Sequence, residues 1–556
     1  MDGATMTTYW VRPTAQGAAD GSSYANAWGI ASAGALTAFN TVSDAEFWLC
    51  GEFKAAQASA FTHRIALAGG LSPSKPKIIR GDYAADPCIL WGGYMQTGAW
   101  SNISGNIWTS TMLSASYDDE NGCAYAIYFP AGGGHTMLTR TDDSATPIAD
   151  TFYVNGGDTN VRVNLSVAGD PAGKIMLAQY GYRFQLVRSD TRLRWVHFHG
   201  IKFRPVARMM SVDISGTSFI PHGLKFTGCE FRYGAKAFFH LRRASEIEFV
   251  DCSFWGIGQD AHIYLKTTTR DDANNTLDTD TDRLQIHNSH RIDVFNCDFD
   301  YAGQHWKSGT ADSHGIGMQA ADECKFIGNS FRRSRAPIVH WHTSNAAAIQ
   351  DNILIAYNSL SDLHNGVSAA TSTIVRGIAT ESGDVGDFSN RVVRHNWIGG
   401  VASMSVTPTY PPMALRCQSA TSATNAADCH DNIVVDFPVG IVMPSNAPYT
   451  NYHDNIVIDP AGHTISRYAL GQSGLYATSI CDENTYSGLT DEATMFGNAG
   501  ANEASAPSTA VSKTNWINPT GSYRFDVNST FGVGSALLRP DGGYILRPDG
   551  GHILRP

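Results

Sequence analysis

The sequence predicts an all-β solenoid, a chain wound into stacked coils of short strands. Two observations carry that prediction, the composition and an internal repeat. Of the 556 residues, 43% are hydrophobic and only 16% charged, with 54 glycines beside 22 tyrosines and 25 phenylalanines. That balance excludes a disordered chain, a coiled coil and a Lys/Glu-rich helical bundle, and it suits short strands joined by Gly, Asn and Asp turns. The repeat then fixes the architecture. Phe226-Thr-Gly-Cys229-Glu-Phe231 recurs as Phe249-Val-Asp-Cys252-Ser-Phe254, Val294-Phe-Asn-Cys297-Asp-Phe299 and Phe326-Ile-Gly-Asn329-Ser-Phe331. Further copies place Asn358, Asn396, Asn432 and Asn455 in the same slot, and Phe198-His-Gly-Ile201-Lys-Phe203 is an earlier one. Successive slots lie 23 residues apart at the shortest, from Cys229 to Cys252 and from Asn432 to Asn455. Longer spacings between them read as loops inserted into the turns of a solenoid.

In such a coil, alternate apolar residues point into a narrow core and each slot stacks on its counterpart. Cys229, Cys252 and Cys297 therefore form an interior column that the asparagines continue. An inward Asn at a bend can bond the backbone of the next coil. The ten cysteines read mainly as packing, with one expected loop disulfide between Cys417 and Cys429.

These repeats resemble the right-handed parallel β-helix proteins, a family with polysaccharide lyases, glycoside hydrolases and phage tailspikes among its members. Tyr9-Trp-Val-Arg-Pro13, Asp20-Gly-Ser-Ser-Tyr24 and Ala27-Trp28 look like its opening segment, and Glu46-Phe-Trp-Leu-Cys50-Gly51 like the strand that follows. The resemblance covers roughly residues 7–465 and implies a single-stranded right-handed parallel β-helix. The chain divides into an amino-terminal cap (1–70), the helix with insertions (71–465, irregular over 90–190), a cap or connector (466–535) and a repeat (536–556). The last reads Leu538-Arg-Pro-Asp-Gly-Gly-Tyr-Ile545, then Leu546-Arg-Pro-Asp-Gly-Gly-His-Ile553. Its Pro-Asp-Gly-Gly turns separate strands too short to stand alone. By the resemblance to tailspikes, three chains supply the neighbours and make a homotrimer.

Alternation along the segments after the slots predicts an outward stripe of polar side chains. With Ala237, Phe239, Leu241, Ala261, Ile263 and Leu265 inward, the stripe holds Phe238, His240, Arg242, His262, Tyr264 and Lys266. His314, His340 and His342 extend it. Rings in such a stripe stack on sugars, and Arg and Lys hold acidic groups. β-Elimination needs a base and a charge stabiliser. Lyases of this fold often use Lys, Arg, His or Tyr, so the resemblance implies a catalytic set of Lys266, Tyr264, His262 and Arg243. Tyr264 or Lys266 is the expected base, and Arg243 or His240 the stabiliser; His240, Arg242, His314, His340 and His342 are expected to bind substrate. Hydrolysis, which needs two carboxyl groups, stays open through Asp260, Asp312, Asp322, Glu381 and Asp384. No cofactor is expected, although Asp278, Asp280 and Asp282 alternate in a way that could offer oxygens to Ca²⁺.

The net charge of −11 argues against nucleic-acid binding, and no apolar run is long enough for membrane insertion. The first residues carry no secretory signal, so a virion tail or extracellular location reached by another route, such as lysis, is expected. The leading expectation is a virion-associated, tailspike-like protein that binds and depolymerises a bacterial surface polysaccharide, possibly alongside other virion tail proteins. The alternatives are a stand-alone secreted polysaccharide lyase and a non-catalytic structural or adhesive virion fibre.

Overall fold

The structure is a computed structural model. It describes residues 6–56, 65–96, 98–111, 125–141, 145–146, 148–154, 160–178, 186–188, 194–204, 210–211, 222–234, 237–241, 244–257, 261–265, 289–302, 314–318, 321–340, 352–363, 375–380, 390–399, 412–417, 427–435, 437, 439–441, 450–458, 481–482 and 485–487. The chain is nearly all β, and its long sheets are parallel. It forms two compact units, Met1–Leu241 with Cys252–Tyr264 and Ala302–Ala311, and Arg242–Asp251 with Leu265–Tyr301 and Asp312–Pro556. Among the described residues no helix is long and apolar enough to cross a membrane.

In the first unit, one sheet runs through Thr7–Arg12, Ala45–Leu49, Lys77–Arg80, Arg194–His199 and His222–Thr227, each parallel to the next. A second sheet runs through Glu52–Ala56, Ile89–Gln96, Lys202–Arg204, Glu230–Gly234 and Ser253–Ile257. The short turn between the two sheets carries the repeat's slot. Alternation is visible in Ala45–Leu49, where Ala45, Phe47 and Leu49 are buried. Like residues stack in the core: Phe198 on Phe226 at 4.8 Å, Phe203 on Phe231 at 5.2 Å and Phe231 on Phe254 at 4.8 Å. The second unit repeats the scheme, with Ser289–Phe295, Lys325–Ile327, Ile353–Ala356, Arg391–Arg394, Ala427–His430 and Thr450–His453 in its first sheet.

The slot column is buried as expected, and its hydrogen bonds explain why cysteine and asparagine share it. Cys229 Sγ donates to Phe198 O at 3.6 Å, and Cys252 Sγ to Phe226 O at 3.4 Å. Asn329, Asn358, Asn396, Asn432 and Asn455 donate Nδ2–H to Val294, Phe326, Ile355, Val393 and Cys429 carbonyls at 2.8–3.0 Å. In every case the acceptor lies three residues before the preceding slot. Only asparagine also accepts. Each Oδ1 takes a backbone N–H from the preceding slot at 2.9–3.1 Å, beginning with Cys297 N–H to Asn329 Oδ1. The residue before the slot is left-handed, with φ of 60° at Gly200 and Gly228 in the first unit. In the second unit Asn296, Gly328, Tyr357, His395, Asp431 and Asp454 take φ of 52–71°. This bend turns the chain from one sheet to the next, and it accounts for the Gly, Asn and Asp that crowd that position.

The expected Cys417–Cys429 disulfide is corrected: the two residues are buried thiols that are not bridged, Cys417 Sγ donating to Cys429 Sγ at 3.5 Å. Burial pushes the Cys88 and Cys229 thiols well up, which makes them inert packing groups.

At the amino-terminal end, helix Ala33–Thr41 is capped by Ser32, whose Oγ accepts from Ala35 N–H at 3.2 Å, and it buries Ala35, Ala38 and Phe39. Beneath it Lys77 is fully buried, donating from Nζ to Phe39 O at 2.6 Å with Phe47 beside it at 5.2 Å. Burial pulls this amine from 10.5 down to about 7. Because the folded value lies below the unfolded one, Lys77 contributes stability that is fully present above pH 10.5 and is lost as pH falls through 7. The expected slope between those limits approaches about 1.4 kcal/mol per pH unit. Urea titrations at pH 7, 8 and 9 should show Lys77→Met less pH-dependent than the wild type by that amount; equal slopes would refute a neutral buried lysine.

Candidate functional site

The third sheet, where the sequence places its stripe, comprises Met210–Ser211, Ala237–Leu241 and Ala261–Leu265 ahead of His314–Met318, Ala336–His340, Arg376–Thr380 and Met413–Cys417. Every residue of Ala261–Leu265 and of His314–Met318 is buried. Phe238 lies 5.9 Å from Phe231 and 6.1 Å from Phe254, inside the core. His262 is fully buried, stacked on Phe238 at 5.8 Å and 6.2 Å from Phe254. His314 is also buried, its Nδ1 3.0 Å from Ala336 O, and burial followed by the Arg335 charge holds it well below its ordinary value. The outward placement expected for Phe238, His262 and His314 is therefore corrected. Strict alternation fails because Phe238 and Phe239 both pack on the interior phenylalanines. Val339 is buried in a cluster with Ala336 and Ala379. The outward placement expected for Tyr264 is corrected likewise, since it is buried, only 7% exposed. His240 and His340 lie on the strands named above. Lys266, Arg242, Arg243, His342, Asp260, Asp278, Asp280, Asp282, Asp312, Glu381, Asp384 and the 536–556 repeat lie outside the described residues.

A different surface of the first unit gathers the chemistry. Strand Ile89–Gln96 begins parallel to Lys202–Arg204, then leaves the coil and pairs antiparallel with Ile175–Ala178. It thereby founds an antiparallel excursion with its own core of Trp100, Tyr128, Leu138, Phe152, Val161 and Val163. By alternation the excursion's other face presents Ile127, Phe129 and Met176, which pack on Trp91 and Tyr233 of the second sheet. The result is a shelf of rings on that sheet's outer side in which Trp91, Tyr233 and Phe129 are buried, Trp255 is half-buried and His135 is exposed. Trp91 meets Phe129 at 4.9 Å and His135 at 5.3 Å, His135 meets Tyr233 at 6.5 Å, and Tyr233 meets Trp255 at 5.3 Å.

Charged groups border the shelf. Trp91 Nε1–H donates to Glu52 Oε1 at 2.7 Å, and Lys54 Nζ lies 3.0 Å from Glu52 Oε2 and 4.2 Å from the Phe129 ring centre. Glu230 is held by Arg204 and by Arg232 Nε at 3.0 Å. Register places Arg204 beside Trp91 and Arg232 beside Trp255, so the shelf spans three strand spacings, about 14 Å. Burial, then the Arg204 charge, lowers His135 below its ordinary 6.5, leaving it a neutral imidazole at pH 7. A neutral imidazole flanked by guanidinium groups is suited to accept a proton from a substrate that also carries negative charge.

No protein-family model matches this chain. No curated protein matches it either. Among solved structures, XylC in complex with xylose is similar over 87% of this chain and 86% of its own, at 8% identity and a TM-score of 0.48. A protein described as a glycoside hydrolase is similar over 88% and 98%, at 11% identity and a TM-score of 0.43. The GH136 lacto-N-biosidase from Eubacterium ramulus follows at 12% identity, 86% and 67% coverage and a TM-score of 0.34. Likenesses this distant assign no activity to this chain.

The shelf had a sequence signal that alternation alone overlooks. Counting three residues past each slot gives Trp91 after Cys88, Arg204 after Ile201, Arg232 after Cys229 and Trp255 after Cys252. That column faces outward opposite the inward Phe203, Phe231 and Phe254. His135 and Phe129 had no such signal, because the excursion that delivers them departs from the repeat.

Proposed function

We propose that this protein binds a bacterial surface polysaccharide along the shelf of the first unit and cleaves it there. One observation carries the reading: the ring run Phe129–Trp91–His135–Tyr233–Trp255 lies between three cations and two carboxylates on an outer sheet face. Of these rings the exposed His135 and the half-buried Trp255 are open to a sugar, while Trp91, Tyr233 and Phe129 are buried and support them, and the local excess of positive charge favours a glycan bearing carboxylates. In the reaction proposed, neutral His135 removes the proton next to the sugar carboxylate, Arg204 and Arg232 balance the enolate, and its electrons form a carbon–carbon double bond as the glycosidic C–O bond breaks, the leaving oxygen taking a proton from water. Hydrolysis is the weaker reading on this shelf. Glu52 and Glu230 stand three strands apart in register, about 14 Å at the backbone and beyond the usual spacing of a hydrolytic pair. The proposal extends to a tailspike-like role on a virion, as a homotrimer closed by the LRPDGG repeat.

The test is incubation with capsular, O-antigen and uronate polysaccharides, following absorbance at ~235 nm and reducing ends together. Rising absorbance supports elimination; reducing ends alone replace it with hydrolysis; silence on a polymer that the protein binds removes the enzymatic reading. Light scattering is expected to find a trimer for the full chain and a monomer for a chain ending at Ser535. A trimer that survives the truncation would rule out the clamp.

A further inference from the structure

In the second unit, strands Ser289–Phe295 and Ala321–Asp322 pair in parallel with His290 opposite Asp322. The two side chains meet, His290 Nδ1 lying 3.0 Å from Asp322 Oδ2, while His290 Nε2 lies 3.8 Å from Glu323 Oε2. Adjacent strand residues ordinarily face opposite ways. Here Glu323 takes φ of 50°, which brings its carboxylate to the side where Asp322 already points. One ligand atom from each of the three residues lies within 4.8 Å of the other two. The Asp322 side chain is only 8% exposed and that of His290 14%.

The surroundings are short of positive charge. Glu246 and Glu323 share Arg291, at 3.1 and 2.8 Å. Asp293 accepts the Lys325 backbone N–H at 3.1 Å, and burial raises its carboxyl to about 6. At neutral pH four carboxylates, Glu246, Asp293, Asp322 and Glu323, therefore face two fixed cations, Arg291 and Lys325. The other histidine-rich surface of this unit is built differently. His430 and His453 stack at 5.0 Å, bonding Asp431 at 2.7 Å and Asp454 at 2.8 Å, with His453 Nε2 also 3.0 Å from Asp428 Oδ1 and His430 Nε2 3.9 Å from Asp428 Oδ2, so two imidazoles share three carboxylates there.

We propose that His290, Asp322 and Glu323 bind one divalent transition-metal ion of the zinc class. One imidazole with two carboxylates is a donor set that zinc accepts and that calcium or magnesium, which prefer oxygen alone, do not favour. Two positive charges also match the local deficit. The ion would tie neighbouring coils on the outer face of the first sheet.

Isothermal titration of the full chain with zinc chloride, after treatment with a chelator, tests this. The expected result is one equivalent per chain, with affinity lowered at least about tenfold in His290→Ala and in Glu323→Gln. Glu323 is surface-exposed, so its variant keeps the test valid should the other fail to fold. His453→Ala is expected to bind zinc as the wild type does. Absence of binding in the wild type, or equal binding in both His290→Ala and Glu323→Gln, would overturn the proposal, as would loss of the site in His453→Ala.

Discussion

Asn358→Ala is expected to lower the unfolding free energy by about 3–5 kcal/mol, among the larger costs a single substitution exacts. Asn358 is 1% exposed and stands mid-column. Its Nδ2 donates to Phe326 O and Asn396 Oδ1, both at 2.9 Å, and its Oδ1 accepts from Asn329 N and Nδ2, both at 3.0 Å. Alanine leaves a buried backbone N–H, a buried carbonyl and two amide groups without these partners, and no water can reach them cheaply. Asn358→Cys should recover part of the loss, because a thiol in this column still donates to the carbonyl below it, as Cys252 does to Phe226. It cannot replace the acceptor that Asn329 requires. Urea unfolding at constant m-value checks both variants. Equal stability of Asn358→Ala and the wild type would mean that the ladder is packing alone.

The second large effect concerns the shelf. His135→Ala is expected to lower kcat for depolymerisation about 10²–10⁴-fold, the usual weight of a positioned base. It sits beside the exposed Gly132-Gly133-Gly134 loop, so the fold should be unaffected. Because His135 titrates below 6.5 in the folded protein, wild-type activity should rise as pH increases through that lower value and then level off. The variant should lose this acidic limb. Trp255→Ala should instead raise KM with little change in kcat, since the ring meets substrate without moving a proton. Tyr264→Phe, on the third sheet, should retain activity. A full rate in His135→Ala, or a collapse in Tyr264→Phe, would move the chemistry off the shelf.

The same residues show where sequence reasoning succeeds in this protein and where it stops. The slot column was legible because Cys229, Cys252, Cys297 and the asparagines recur within a fixed local frame, and a repeat of that kind permits few folds besides stacked coils. The outward placement expected from alternation fails at Phe238, His262, Tyr264 and His314, because alternation does not persist along these third-sheet strands. Phe238 and Phe239 both turn inward, and no single-strand pattern reports how the facing sheet receives them. The left-handed residue before the slot is Gly, Asn or Asp in most coils but Tyr357 and His395 in two, so only the backbone angles gave the position its meaning.

By itself, then, the sequence determined the coil and its inward ladder, both of which depend on spacing within one turn of the solenoid. Tertiary structure alone brought the rings and charges of the shelf together. His135 and Phe129 reach Trp91 through an antiparallel excursion whose course depends on pairing between strands some 80 residues apart, Ile89–Gln96 and Ile175–Ala178. Contacts of that range leave no periodic trace in the chain, because they are set by packing across sheets and not by the repeat along them.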